Sequence, residues 1–479
     1  MNRIERKVLF RSLLLGAAVT AAVVVVQAGQ WLAPLERLAY DARVEHAQFF
    51  MRPPTDRLIH LDINDATLET IGRWPWDRSV LAGIVDETRR AGAKVVALDL
   101  LLVEPSEQRL VEVEGQIHRV DDDVVLAEAM ERAGKVLLPI AGEIRSPRTP
   151  LEQRLYDVLR EDLELEPEEA FRRAGAGPAA MGDHLDLFVS ARRSAMYDRL
   201  EARLDEGVDQ PEALARDLLP AQVSRGVTGS PQSRLLGRQL RRVRGILALR
   251  PLARPAGKET ANALPLEDVL APPPELSRAI DMTAHVTFPR SEDGVLRAVP
   301  LWVEHRGSLY PQMGLAMACA MLDVDVRDIE IGPEVVILPR PDGEAIRIPT
   351  REVMSANAGQ LVGSLMDVPW FGPADEWEYM YDFPDGRQPV QHLAVLEVWE
   401  VRQLQERIER NCRTIDDAIL AIYAQMQPER VKDYQERAPD PGDFAARVEH
   451  IDAALALAGD WVEMLSQMSD EAYQQMLAG

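Results

Sequence analysis

The chain has 479 residues, 46% of them hydrophobic and 28% charged, an ordinary globular balance with enough material for more than one packed unit. Its formal net charge of −24 excludes a nucleic-acid-binding face as the main business, because such a face needs clustered Lys and Arg to displace counterions. The two cysteines, Cys319 and Cys412, make no disulfide framework; two isolated buried thiols are expected, with a single bridge as the alternative.

The first element is apolar. Arg3, Arg6, Lys7 and Arg11 precede an uncharged run at 13–32, LLLGAAVTAAVVVVQAGQWL. As a helix it would extend about 30 Å and cross a bilayer, with its basic flank held in the cytoplasm. A cleaved signal peptide is the rival, since Val26, Gln27 and Ala28 resemble a small-residue cleavage site. A retained anchor is expected, because Trp31 stands where an interfacial aromatic would. A helical pattern then starts at Pro34 and carries Leu35, Leu38, Ala42, Val44 and Phe49 toward one face.

Two short apolar runs follow, LIHLDI at 58–63 and KVVALDLLL at 94–102, with helical spacing at 78–90 between them. Strand, helix and strand in this order predict a right-handed βαβ unit with adjacent parallel strands. Asp62 and Asp99 fall near the carboxyl ends of those strands, where ligands gather in parallel sheets, and Asp65 lies close by. Capping of turns and helices is the alternative role for these aspartates.

The turn IGRWPWDRSVL at 71–81 joins the first strand to the helix. Asp77 is placed to cap the helix, and Pro75 stiffens the approach and holds Trp74 extended. Trp74 and Trp76 leave this corner in different directions. One is expected to be buried and the other to face the strand ends; packing and ligand stacking both remain open.

From Glu143 to about Leu266 the chain is charged and largely helical in spacing, and reads as an inserted helical subdomain. Eight arginines stand between Arg225 and Arg254. They are expected to pair mostly with acidic side chains of the insertion, the alternatives being lipid headgroups or an acidic partner. Residues 411–479 carry 13 acidic and 5 basic residues in helical runs, none apolar enough to span a bilayer.

No catalytic signature emerges. HLDIND is similar to the start of haloacid-dehalogenase-type phosphatases, but Asn64 takes the place of their second aspartate, so the general acid is missing. The eight histidines are scattered, and neither HExxH nor GxxxxGK[ST] occurs. No catalytic residue, metal or cofactor is expected.

Several segments together resemble the second type of CHASE domain, the extracellular sensory module associated with cyclases and histidine kinases. They are LERLAYDARV at 35–44, HLDINDATLETIGRWPWDR at 60–78, GAKVVALDLLLVEPS at 92–106, DDDVVLAEAMERAGKVLLP at 121–139 and FPRSEDGVLRAVPLWVEHRGSLYPQMGLAMA at 288–318. VPWFGPADEWEYMYDFP at 368–384 continues the likeness, whereas the closing strand and following membrane helices do not appear.

The resemblance implies an α/β sensory core, a mixed sheet with βαβ units flanked by helices; in this chain it is interrupted by a helical insertion and followed by an α-helical tail, both departures from the family pattern, and preceded by the one transmembrane helix expected above. In numbers this reads as 1–12 cytoplasmic, 13–32 membrane, 35–142 and 267–399 sensory domain, 143–266 insertion and 400–479 acidic helical tail. It implies the input part of a bacterial receptor in the inner membrane, single-pass in this chain, controlling a nucleotide cyclase or kinase outside it. Candidate ligand contacts are Asp62, Asp65, Trp74, Trp76, Asp99 and Arg297. The expected partners are a small ligand or an envelope protein, the membrane through 13–32, and a second copy through the juxtamembrane helix. A membrane-tethered scaffold of the cell envelope is the other reading.

Overall fold

A computed structural model describes residues 3–28, 33–47, 57–106, 108–113, 116–144, 148–221, 231–257, 263–289, 296–341, 343–354, 361–368, 391–439 and 446–456. The chain divides into two compact units, Met1–Leu61 with Asp77–Leu393, and Asp62–Trp76 with Ala394–Gly479.

The N-terminal part runs through helices α1 (Arg3–Ala28) and α2 (Ala33–Ala47), strand β1 (Ile59–Asp62), helices α3 (Asp65–Ile71) and α4 (Arg78–Arg90), and the short strand β2 (Val96–Ala97). In α1 the side chains of Leu13, Leu14, Leu15, Val19, Val23, Val24 and Val25 are all more than half exposed. The last four positions of the expected span, 29–32, lie outside the described residues. Among the described residues no helix is long and apolar enough to cross a membrane.

Next come the hairpin β3 (Gln108–Val113) and β4 (Gln116–Asp121), helix α5 (Asp122–Ala133) and β5 (Val136–Ile144). Helices α6 (Pro150–Glu161), α7 (Leu185–Asp205) and α8 (Pro231–Leu249) follow, with shorter helices among them. Thr149 caps α6 by accepting from Glu152 N–H, and Pro150 occupies its first turn, where a missing N–H costs nothing. Helix α7 packs on α6 and α8. Gly245 of α8 lies so close to the Pro272 carbonyl that a Cβ would clash with backbone, so this crossing requires glycine.

Strands β6 (Arg254–Pro255), β7 (Leu264–Leu270), β8 (Met282–His285), β9 (Ala298–Pro300), β10 (Trp302–His305) and β11 (Ser308–Pro311) precede helix α9 (Met313–Leu322). The central sheet has the order β2-β5-β7-β10-β11-β6, with β8 also paired to β5. It is mixed: β2 and β8 run parallel to β5 and β10 parallel to β7, while β7 is antiparallel to β5 and β11 to β10. The remaining strands are short: β12 (Glu330–Ile331), β13 (Val335–Leu338), β14 (Ile346–Pro349), β15 (Arg351–Met354), β16 (Leu361–Asp367) and β17 (Gln391–Ala394). Leu301, Trp302, Leu309, Leu315, Cys319, Val336 and Leu338 form one core cluster.

The parallel pairing expected between 58–63 and 94–102 does not form. β1 pairs with β17 in a separate two-stranded sheet, and the βαβ arrangement is β2-α5-β5 instead. Burial sets the two apart. No residue of Ile59–Asp62 is buried, and Ile59 is 50% exposed, which suits a short strand outside the central sheet. Val136, Leu137, Leu138 and Ile140 of β5 are fully buried, as a central parallel strand requires. Helix α4 packs on α5, burying Leu81, Ile84 and Val85.

In the second unit, α3 packs against α10 (Val395–Met426), which also packs on α11 (Pro428–Glu436); residues 446–456 are helical. Its core gathers Cys412, Ile419, Tyr423, Tyr434, Ile451 and Ala454. Cys319 and Cys412 are both buried free thiols, and burial pushes the Cys319 thiol up to about 12, so it stays protonated.

Candidate functional site

Four of the expected contacts sit in the second unit. Asp62 ends β1 and Asp65 is exposed in the first turn of α3. The cap of α3 is Asn64, whose Oδ1 accepts from Thr67 N–H at 3.0 Å and from the Thr67 hydroxyl at 2.7 Å. Gly72 ends that helix at φ +116, a conformation that favours glycine. Its carbonyl accepts the indole N–H of Trp76 at 2.7 Å. Trp76 is the buried tryptophan, and Trp74, half-buried, meets it edge-to-face at 5.4 Å. Indole burial with a satisfied N–H is a packing arrangement. Asp99 and Arg297 belong to the first unit, Asp99 exposed just beyond β2. Since β1 and β2 lie in different sheets, Asp62 and Asp99 do not share a row of strand ends.

Asp77 does not cap α4: its side chain makes no hydrogen bond to the helix N-terminus and it lies 4.0 Å from Arg109. Its neighbour Arg78 has the greater part. Arg78 Nε reaches Asp123 Oδ1 at 3.3 Å and its Nη2 donates to the Glu104 carbonyl at 3.1 Å, while Ser106 N–H donates to Asp123 Oδ2 at 2.7 Å. Beside it, Arg109 grips Asp122 bidentately at 2.6 and 2.8 Å and donates to Ser79 at 3.1 Å. Asp122 and Asp123 are buried, and burial pushes the Asp123 carboxyl above its usual range against the pull of Ser106 N–H and Arg78. One node thus ties the start of α4, the stretch after β2 and the start of α5. Three successive aspartates at 121–123 signal it in the sequence, because only Asp121 acts as the cap and the other two need cations.

A second tie reaches the helix that follows the apolar segment. Arg297 grips Asp41 of α2 bidentately, at 2.8 and 2.7 Å. Tyr40, one residue earlier, donates its hydroxyl to the carbonyls of Arg297 at 3.3 Å and Val368 at 3.4 Å. Val368 N–H in turn donates to the Arg297 carbonyl at 2.8 Å, joining the approach to β9 with the end of β16. Burial, then Asp367, pushes the Tyr40 phenol upward, so it remains a donor at neutral pH. Asp293, Gly294 and Val295, which precede this arginine in the resemblance, lie outside the described residues.

The first unit also holds an open cleft of ≈ 450 Å³ whose lining includes Arg148, Tyr197, Asp198, Asp268, His305 and Arg306. His305 Nδ1–H donates to the Leu266 carbonyl at 3.1 Å, which leaves Nε2 to accept the Tyr197 hydroxyl at 3.2 Å. Burial pushes the Tyr197 phenol well above its ordinary value. Arg306 stands 4.6 Å over the Tyr197 ring and pairs with Asp198 and, at 2.7 Å, with Glu201. Asp268 pairs with Arg193, and burial raises its carboxyl. The imidazole is tied at both nitrogens, so the cleft offers hydrogen-bonding walls in place of an activated nucleophile. Among the described residues no His, Cys, Asp and Glu cluster could hold a metal ion.

These geometries fall within one family match: the CHASE2 domain, over residues 17–420. The chain belongs to the CHASE2 domain family. No curated protein and no solved structure matches it. CHASE2 domains are sensory extracellular domains of receptors, which gives this chain a sensory role. The CHASE2 match begins inside α1, ends inside α10, and includes the node, the Asp41–Arg297 tie and the cleft.

Proposed function

We propose that this CHASE2 chain is the extracytoplasmic input part of a receptor anchored in the inner membrane through 13–32, and that it controls a nucleotide cyclase or kinase output. The observation that carries this reading is the grip of Arg297 and the Val368 carbonyl on Asp41 and Tyr40. It joins the sensory body to the helix that follows the apolar one, so a change in the body has a mechanical route toward the membrane. A small polar ligand or an envelope protein would act on the body, the cleft at Tyr197, His305 and Arg306 being the place for the former. Leu35 and Leu38 of α2 are exposed at helical spacing, which favours pairing of two copies through this helix.

A fusion of alkaline phosphatase to the end of the chain tests the topology. Activity with carbonate-resistant membrane association is expected. An inactive fusion in the soluble fraction overturns the anchored reading. In the intact receptor, Asp41→Asn and Arg297→Gln are expected to shift basal output, and the exchanged pair Asp41→Arg with Arg297→Asp to restore it.

A further inference from the structure

Helix α8 carries Arg234, Arg238, Arg241, Arg242 and Arg244 in 19 residues without one acidic side chain, in a chain of net charge −24. Among the described residues the expectation that these arginines mostly pair with acidic neighbours is met at Arg250, and Asp268 attracts Arg242, but it is not met along the exposed side of the helix. Arg250, just beyond the helix, pairs with Glu201 and Asp205, whereas Arg244 and Arg254 donate to the backbone carbonyls of Asp209 and Ile329. Arg225 lies outside the described residues. Arg234, Arg238 and Arg241 are exposed and make no ion pair among the described residues. Spaced by four and three residues, they form one row on the helix. The opposite face, Leu236, Gln239, Leu240, Val243 and Ile246, is buried, and on the row's own side Gly245 and Leu249 are buried in the last turns, so the row is confined to the first part of the helix, where it is fixed to the body of the first unit and exposed.

We infer that the row Arg234, Arg238 and Arg241 docks on anionic phospholipid headgroups and sets how the sensory body faces its membrane. Guanidinium groups match phosphate oxygens in geometry as well as charge. Acidic surface held near an anionic leaflet is repelled, and within a screening length of about 8 Å the cationic row reverses that sign locally. The apolar face of α8 is already used inside the protein, so docking is peripheral and salt-sensitive, unlike the inserted mode of a free amphipathic helix. The inference rests on the anchored reading for proximity and on the arginine row for contact.

The test uses the full chain with a fluorophore on Gly237→Cys, a position on the same face where a Cβ meets nothing within 4 Å; the native thiols are buried. Protein is reconstituted with vesicles of phosphatidylcholine alone or with added phosphatidylglycerol, each carrying a headgroup quencher. Quenching is expected only with phosphatidylglycerol, and is lost in high salt and in Arg234→Gln/Arg238→Gln/Arg241→Gln. At about fivefold per arginine, the docked-to-undocked ratio should fall on the order of a hundredfold in the triple variant. Equal quenching on both vesicles, or none on either, overturns the inference. So does lipid-free, salt-sensitive self-association abolished by the same substitutions, which would assign the row to a second copy. Failure to float with neutral vesicles sinks the anchor alone, since docking on anionic vesicles is still read by quenching.

Discussion

Two of the arginine–carboxylate ties in the first unit, Arg78 with Asp123 and Arg297 with Asp41, differ in what surrounds them. At Arg78 and Asp123 the side chains are 11% and 5% exposed, and backbone groups of Glu104 and Ser106 complete the set. At Arg297 and Asp41 the arginine is equally buried but the aspartate is 48% exposed, on a helix that the body otherwise leaves open. A buried pair that loses one partner strands a charge in low dielectric, whereas a half-exposed pair that opens hands its carboxylate to water. The first therefore suits permanent structure, and the second a joint that can open and close.

The strongest way to break this contrast is Arg78→Ala. Asp123 would be left buried with Ser106 N–H as its remaining donor, and a loss of about 3 kcal/mol or more is expected in urea unfolding at neutral pH. Acid should relieve part of it, because the stranded carboxyl can protonate. The pH profile adds a sign. Burial raises the Asp123 carboxyl in the folded state, so its contribution is present below the unfolded value and lost as pH rises through the folded one. The stability gap between the protein and Asp123→Asn should narrow as pH rises above the unfolded carboxylate value of about 4; a gap that widens would make the carboxylate a net gain.

Asp41→Asn should cost only about 1 kcal/mol, the scale of a partly exposed charge-assisted bond. Its larger effect is predicted in hydrogen exchange, where Ala33–Ala47 should lose protection while α4 and α5 keep theirs. Unchanged protection in α2 would remove the joint from the mechanism. Asp323 supplies a carboxylate of opposite behaviour to Asp123. Hydrogen bonds from Lys135 and Lys94 pull it down to about 2, so its contribution is present above the unfolded value and lost as pH falls through the folded one. Asp323→Asn, which tolerates the left-handed φ of 55 there, should lower stability at pH 7 and flatten the acid limb between about pH 4 and 2, so that the variant and the parent converge near pH 2.

Element types were more legible in the sequence than their partners. The run at 78–90 is a helix and β5 is a buried strand because local periodicity and branched apolar side chains decide them. Pairing is decided far away. Arg78 and Asp123 stand 45 residues apart, Arg297 and Asp41 256 apart, and no local pattern reports that they meet. The same distance hid the choice of β1 for β17. Arg297 was a candidate ligand contact and the triple aspartate only the start of a matching stretch, and the contacts of both came only from the fold. The cleft was invisible for another reason: its walls join α7 with the strands β7 and β10, elements that are separate in the sequence.

The smallest predicted effect is the sharpest test of how local rules fail at this corner. By position Asp77 precedes α4 as an N-cap should, and a lost cap would cost about 1 kcal/mol. Its side chain, however, is 63% exposed, 4.0 Å from Arg109, and makes no hydrogen bond to the helix start. Arg109 is already held at both ends of its fork by Asp122, so Asp77 adds a distant third charge in water. Asp77→Ala should then change the urea midpoint by no more than a few tenths of a kcal/mol. Asp121→Ala removes a true cap, the acceptor of Asp123 N–H at 3.1 Å, and should cost about 1 kcal/mol. Equal losses in the two variants would show that Asp77 caps α4 in solution after all, and that the buried fork at Asp122 leaves Arg109 free to let it do so.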